Sequence, residues 1–129
     1  KPHVFVGADN PLAKKEVLTL ENLAPYPRLS YEQGDHNAFY FSEEIFSAFE
    51  RKKNIRVRDR ATLFNLLIGL NGYTICSGVI SESLNGPNIV AVPLLVDDAM
   101  QIGYLTHKQV QPGLFGKRYI EILQKHTAQ

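Results

Sequence analysis

Three polar segments hold the residue types that could grip a small charged molecule. Residues 31–37 contain Glu32, Gln33, Gly34 and Asp35, residues 58–62 read Arg58-Asp59-Arg60-Ala61-Thr62, and residues 77–81 open on Ser77. Gln33, Arg58, Arg60, Thr62 and Ser77 can donate hydrogen bonds to an anion. Glu32, Asp35 or Asp59 can recognise an amine or discriminate against one, and Gly34 lets its loop take a positive φ. Each segment follows an expected strand and precedes an expected helix. Small molecules bind open α/β sheets at such places, outside the strand carboxyl ends, where the first N–H groups of a helix lack partners. The same residues serve equally well as helix caps, which every α/β protein requires.

Other chemistry finds no support. His3, His36, His107 and His126 are scattered, with no partner cysteines and no pair at helical spacing, so no metal site is expected and solvated or hydrogen-bonding roles fit them better. No Walker loop, GxGxxG or GxSxG motif occurs, so neither a cofactor nor a catalytic nucleophile is expected. The carboxylate pairs Glu43-Glu44 and Asp97-Asp98 fall at a helix start and in a loop, where dipole compensation and turn formation account for them. Cys76, the single cysteine, reads as a small core residue of a reducing compartment.

The elements that must position these segments follow from periodicity. Ile55 and Val57 alternate with Arg56 and Arg58 as in a strand, and Asp59 can cap a helix from about Arg60 to Leu70. Only Thr62, Asn65 and Gly69 interrupt the apolar residues of that helix, which predicts burial between other elements. Asn71-Gly72 supplies left-handed turn residues, and a second strand follows at 73–76. Strands joined through a packed helix lie parallel, so residues 55–77 are expected at the centre of an open sheet. Elsewhere, strands are expected at 1–7, 26–31, 88–93 and 100–106, a short helix capped by Thr19, a helix at 38–52 and an amphipathic helix after Pro112. In this last helix Phe115, Tyr119, Ile120 and Leu123 share a face. Phe39 and Phe46 widen the apolar stripe of the 38–52 helix, which fits either a second contact surface or one broad sheet face. The fold class is α/β, with a mixed sheet.

Whole-chain numbers agree with one soluble domain or part of one. The 129 residues are 44% hydrophobic, and 14 basic against 13 acidic side chains leave a net charge of +1. That balance gives no basic arm for nucleic acid, and no run approaches the ~20 apolar residues that span a bilayer. The chain enters its first strand at once, at Lys1-Pro2-His3-Val4, and reads as a piece of something longer.

The order and wording of the segments resemble the effector (co-inducer)-binding domain of LysR-type transcriptional regulators. Asp9-Asn10-Pro11-Leu12-Ala13 is similar to the family's strand followed by (D/G)HPLA, and residues 17–27 to its v-t-L-e-D-L-a-d-e-P segment. Residues 66–75 resemble l-v-a-a-G-l-G-i-a-l, and residues 105–123 the closing strand, basic turn and helix. Asn10 stands where the family has His, Leu70 where it has the first glycine of GlG, and Ser77 where a proline follows the last strand.

The resemblance implies a type II periplasmic-binding-protein-like fold, with helices on both faces of a mostly parallel sheet. Residues 8–92 would form the second lobe, 1–7 and 90–93 the hinge strands, and 100–129 a return to the first lobe. It also implies a metabolite effector held by Gln33, Gly34, Arg58, Asp59, Arg60, Thr62 and Ser77. DNA would be contacted only through an N-terminal helix-turn-helix domain, in a cytoplasmic dimer or tetramer without enzymatic activity. A solute-binding protein of a transport system shares the fold and is the alternative.

Overall fold

A computed structural model describes residues 1–32, 53–99 and 103–127. Among the described residues five strands form one sheet: β1 (His3–Gly7), β2 (Arg28–Tyr31), β3 (Asn54–Val57), β4 (Tyr73–Cys76) and β5 (Ile89–Pro93), in the order β3-β2-β4-β1-β5. β2 runs parallel to β3, with Leu29 opposite Ile55, and parallel to β4, with Arg28 opposite Tyr73. β1 runs antiparallel to both of its neighbours, β4 and β5, so among the described strands it alone opposes the common direction. The sheet is mixed, as expected.

β4 is the middle strand, and β1 beside it is also interior and covered on both sides, which is why Val4, Phe5 and Val6 form an unbroken apolar run rather than an alternation. Val4 and Val6 pack with Leu12, Leu18 and Leu23 on one face, while Phe5 packs with Leu63 and Leu67 on the other. Helical elements therefore cover both faces. On the first lie the 3-10 turn Pro11–Lys14 and α1 (Leu20–Leu23); on the second lies α2 (Arg60–Gly69). Asn10, 1% exposed, ties the turn after β1 to the turn between α2 and β4. Its Oδ1 accepts from the Leu12 N–H at 2.9 Å, and its Nδ2 donates to the Asn71 carbonyl at 3.2 Å. Alongside β5, the Leu18 N–H donates to the Pro93 carbonyl and the Leu95 N–H to the Leu18 carbonyl, both at 2.8 Å.

Several expectations need correction. β3 and β4 are parallel, but β2 lies between them, and β3 is the outermost strand on its side among the described residues rather than a central one. α2 is not buried between elements. Leu63 and Leu67 face the sheet, whereas Ile68 and Leu70 are each 47% exposed. A helix resting on one sheet face has only that face to bury, whatever its composition. Residues 103–106 carry no strand and are exposed, with Tyr104 and Leu105 facing water. β-Prone residues form a strand only where another strand offers hydrogen bonds, and none of the described strands does so there.

After Pro112, α4 (Leu114–Thr127) forms as its pattern predicts, yet Phe115 and Tyr119 lie open. α3 (Glu82–Asn85) follows β4 and ends at Gly86, whose φ is 65°. The helix expected at 38–52 lies outside the described residues.

Candidate binding site at the strand carboxyl ends

Because β2, β3, β4 and β5 point one way, their carboxyl ends meet along one edge of the sheet. The chain leaves that edge at Glu32, Arg58, Ser77 and Leu94. β2 connects onward to β3 on one side, while β4 connects to β5 on the other, so the connections diverge between β2 and β4. In open sheets ligands bind where such connections diverge, which makes the edge between β2 and β4 the candidate crevice. Glu32 and Ser77 flank it.

The expected binding residues occupy this edge with differing freedom. The Arg58 Nε donates to Glu32 Oε2 at 2.5 Å, with the two side chains 84% and 44% exposed. Arg58 thus leans from the outer strand toward β2 and the crevice. Its hydrogen bond and its charge hold the Glu32 carboxyl below the usual carboxylate range. An ion pair this exposed adds little stability.

Asp59 and Thr62 are occupied with each other. The Thr62 N–H donates to Asp59 Oδ1 and its hydroxyl to Oδ2, both at 2.8 Å, so Asp59 is the N-cap of α2. Arg60 turns onto its own helix, with its guanidinium carbon 4.8 Å from the centre of the Phe64 ring. Ser77 Oγ accepts from the Val79 N–H at 3.4 Å, which leaves its hydroxyl proton able to donate. Gln33 and Gly34 lie outside the described residues. The structure thus brings Glu32 and Arg58 together beside the crevice, places Ser77 across it, and commits Asp59, Thr62 and Arg60 to contacts within α2.

The cap has a testable signature. Hydrogen bonds from the Thr62 backbone, then from its side chain, hold the Asp59 carboxyl below the ordinary aspartate range. A carboxylate with a depressed folded-state pKa stabilises fully above its unfolded value, about pH 4, and that contribution fades as pH falls through the lowered folded value. Asp59→Asn keeps an acceptor for the Thr62 N–H but removes the titration. Urea midpoints measured from pH 7 to pH 2.5 should therefore fall more on the acid side in the wild type than in Asp59→Asn. Parallel profiles would contradict the cap as the cause.

Sequence reasoning missed two residues at this edge, His3 and Gly78. His3 is paired with Cys76 on β4 and with Pro93 on β5, so it lies at the carboxyl ends of both. Gly78 has φ 84°, and a Cβ added to it would come 2.5 Å from both Cγ and Nδ1 of His3. The imidazole therefore lies directly against the glycine. Only the reversed direction of β1 puts His3 here, and no local pattern in the chain announces that direction.

Among the described residues, no group of three or more His, Cys, Asp or Glu side chains could hold a metal ion. None of the described helices is long and apolar enough to cross a membrane.

No protein-family model matches the chain, and no curated protein sequence does. Solved structures do. HinK, a LysR family transcriptional regulator from Pseudomonas aeruginosa, matches 98% of the chain at 16% identity with a TM-score of 0.61. The BenM effector-binding domain, solved with its effector benzoate, matches 76% at 25% identity and a TM-score of 0.53. The QuiR effector-binding domain, solved with shikimate, matches 98% at 13% identity and a TM-score of 0.52. The chain spans 44%, 46% and 60% of those three chains respectively.

Proposed function

We propose that this chain, whose fold is that of the effector-binding domain of LysR-type regulators, senses a small-molecule effector at the crevice between β2 and β4. The observation that carries the reading is the Glu32–Arg58 pair standing at the point where the strand connections diverge, with Ser77 opposite. Arg58 offers charge-assisted hydrogen bonds to a carboxylate, and Ser77 offers a hydroxyl donor. BenM and QuiR were solved with benzoate and shikimate, both carboxylates, which supports that class. Gln33 and Gly34, next in the chain after Glu32, would contribute as well.

In the whole protein, residues 8–92 would act as one lobe, with β1 and β5 in the hinge and residues 100–129 running to the other lobe. An effector touching both lobes favours one relative orientation, and it shifts the equilibrium only by its differential affinity for the two states. A helix-turn-helix domain would convert that orientation into DNA binding within a cytoplasmic homo-oligomer. The module would perform no catalysis. The matched regulators favour this role over a transport solute-binding protein.

The test is a thermal-shift screen of small carboxylates on the wild type, Arg58→Ala and Ser77→Ala. Losing a charge-assisted hydrogen bond costs about 1.5–3 kcal/mol, so Arg58→Ala is expected to weaken the stabilising carboxylate at least about tenfold. Ser77→Ala is expected to weaken it several-fold. A carboxylate that stabilises all three proteins at equal concentration would remove both residues from the site.

A further inference from the structure

Resting on the effector reading above, we infer that His3 and Ser77, aligned by Gly78, form a recognition point for a hydroxyl group of the effector. The imidazole is positioned from two sides and its backbone from a third. A carbonyl oxygen only accepts, so the 3.1 Å contact between His3 Nδ1 and the Lys1 carbonyl places the proton on Nδ1. The segment carrying that carbonyl is itself fixed, because the Pro2 carbonyl accepts from the Leu94 N–H at 3.1 Å. The ring face rests on Gly78, where any side chain would collide with it and where φ of 84° already favours glycine. The His3 backbone is held as well, since the Cys76 thiol donates to its carbonyl at 3.7 Å.

With Nδ1 carrying the proton, Nε2 of the neutral ring is an acceptor, and among the described residues it has no partner. Ser77, next to Gly78, has spent one acceptor position on the Val79 N–H and keeps its hydroxyl proton to give. The edge thus presents an acceptor and a donor on neighbouring residues. A hydroxyl group satisfies both at once, donating to Nε2 and accepting from Ser77 Oγ–H. Ser77 follows β4 and borders the crevice, and His3 lies on the adjoining β1, about 5 Å, one strand spacing, further out. From β2, onto which the Arg58 guanidinium leans, β1 is two strand spacings, roughly 10 Å, away, and a small hydroxylated carboxylate with a hydrogen bond at each end covers on the order of that distance. The class of effector is accordingly a hydroxy acid rather than a plain aromatic or aliphatic acid.

Two probes separate the possibilities: shikimate, which carries hydroxyls, and benzoate, which carries none. The protein is labelled with 15N, and the His3 ring nitrogens and the backbone amides of residues 77–79 are followed during titration with each. Shikimate is expected to move the Nε2 resonance and benzoate to leave it in place. His3→Phe keeps an aromatic ring against Gly78 and loses the acceptor, so it is expected to weaken shikimate about fivefold to tenfold and to leave benzoate unchanged. A shikimate response in the amides with Nε2 stationary, or equal weakening of both acids by His3→Phe, overturns the hydroxyl site and leaves the effector reading standing. Resonances of this edge that respond to neither acid overturn both.

Discussion

Gly72→Ala is expected to destabilise the fold by about 2–3 kcal/mol, read as a lower urea midpoint with an unchanged slope. Gly72 is buried between α2 and β4, and a Cβ there would come 2.4 Å from Leu29 Cδ1 and 2.9 Å from the Pro27 carbonyl oxygen. Neither neighbour can yield. Leu29 has no exposed surface, and the Pro27 carbonyl accepts the Tyr73 N–H at 3.0 Å in the join between β2 and β4. Pushing Pro27 aside breaks that join beside the proposed crevice. Gly69→Ala is the control, because a Cβ there meets nothing within 4 Å. At an exposed position in the last turn of α2 it is expected to stabilise by about 0.5–1 kcal/mol, since alanine loses less backbone entropy than glycine in a helix. A loss of less than about 0.5 kcal/mol in Gly72→Ala would show that β2 and β4 are not joined as closely as described.

The second large effect separates the two sides of α2. Leu67→Ala is expected to cost about 3–4 kcal/mol, because Leu67 is fully enclosed with Phe5, Leu29 and Leu63 and its removal leaves a cavity that the sheet cannot close. Ile68→Ala, one residue along and 47% exposed, is expected to cost about 1 kcal/mol or less. Both are measured by urea unfolding of the same preparation. Similar losses for the two would mean that α2 is covered on its outer side as well, as its composition alone suggests. A large gap supports the one-sided packing, which leaves the α2 cap at the strand carboxyl ends without needing a second layer above the helix.

What the sequence determined by itself is the set of features made between near neighbours. Asp59 caps α2 through Thr62, three residues away, and Asn71 with φ 53° turns the chain from α2 into β4. Thr19, Pro112 and Gly86 likewise mark element boundaries through their own backbone preferences. These contacts form whenever the local chain folds, so residue type and spacing suffice to read them. The three polar strand ends were legible for the same reason, since each is a strand followed by a capping sequence.

The tertiary structure alone decided which of those ends meet. That β2 lies between β3 and β4 follows from the pairing of Leu29 with Ile55 and of Arg28 with Tyr73, contacts across many residues of chain. No local propensity encodes a strand's neighbour, because edge hydrogen bonds are alike for every sequence and the choice lies in the summed packing of both sheet faces. The one-sided burial of α2, the failure of residues 103–106 to form a strand and the leaning of Arg58 onto Glu32 all follow from that choice. The reversed β1 is its clearest consequence. By running against its neighbours, it carries His3 from the start of the chain to the carboxyl edge and lays its ring on Gly78. Sequence alone leaves that histidine one of four scattered ones.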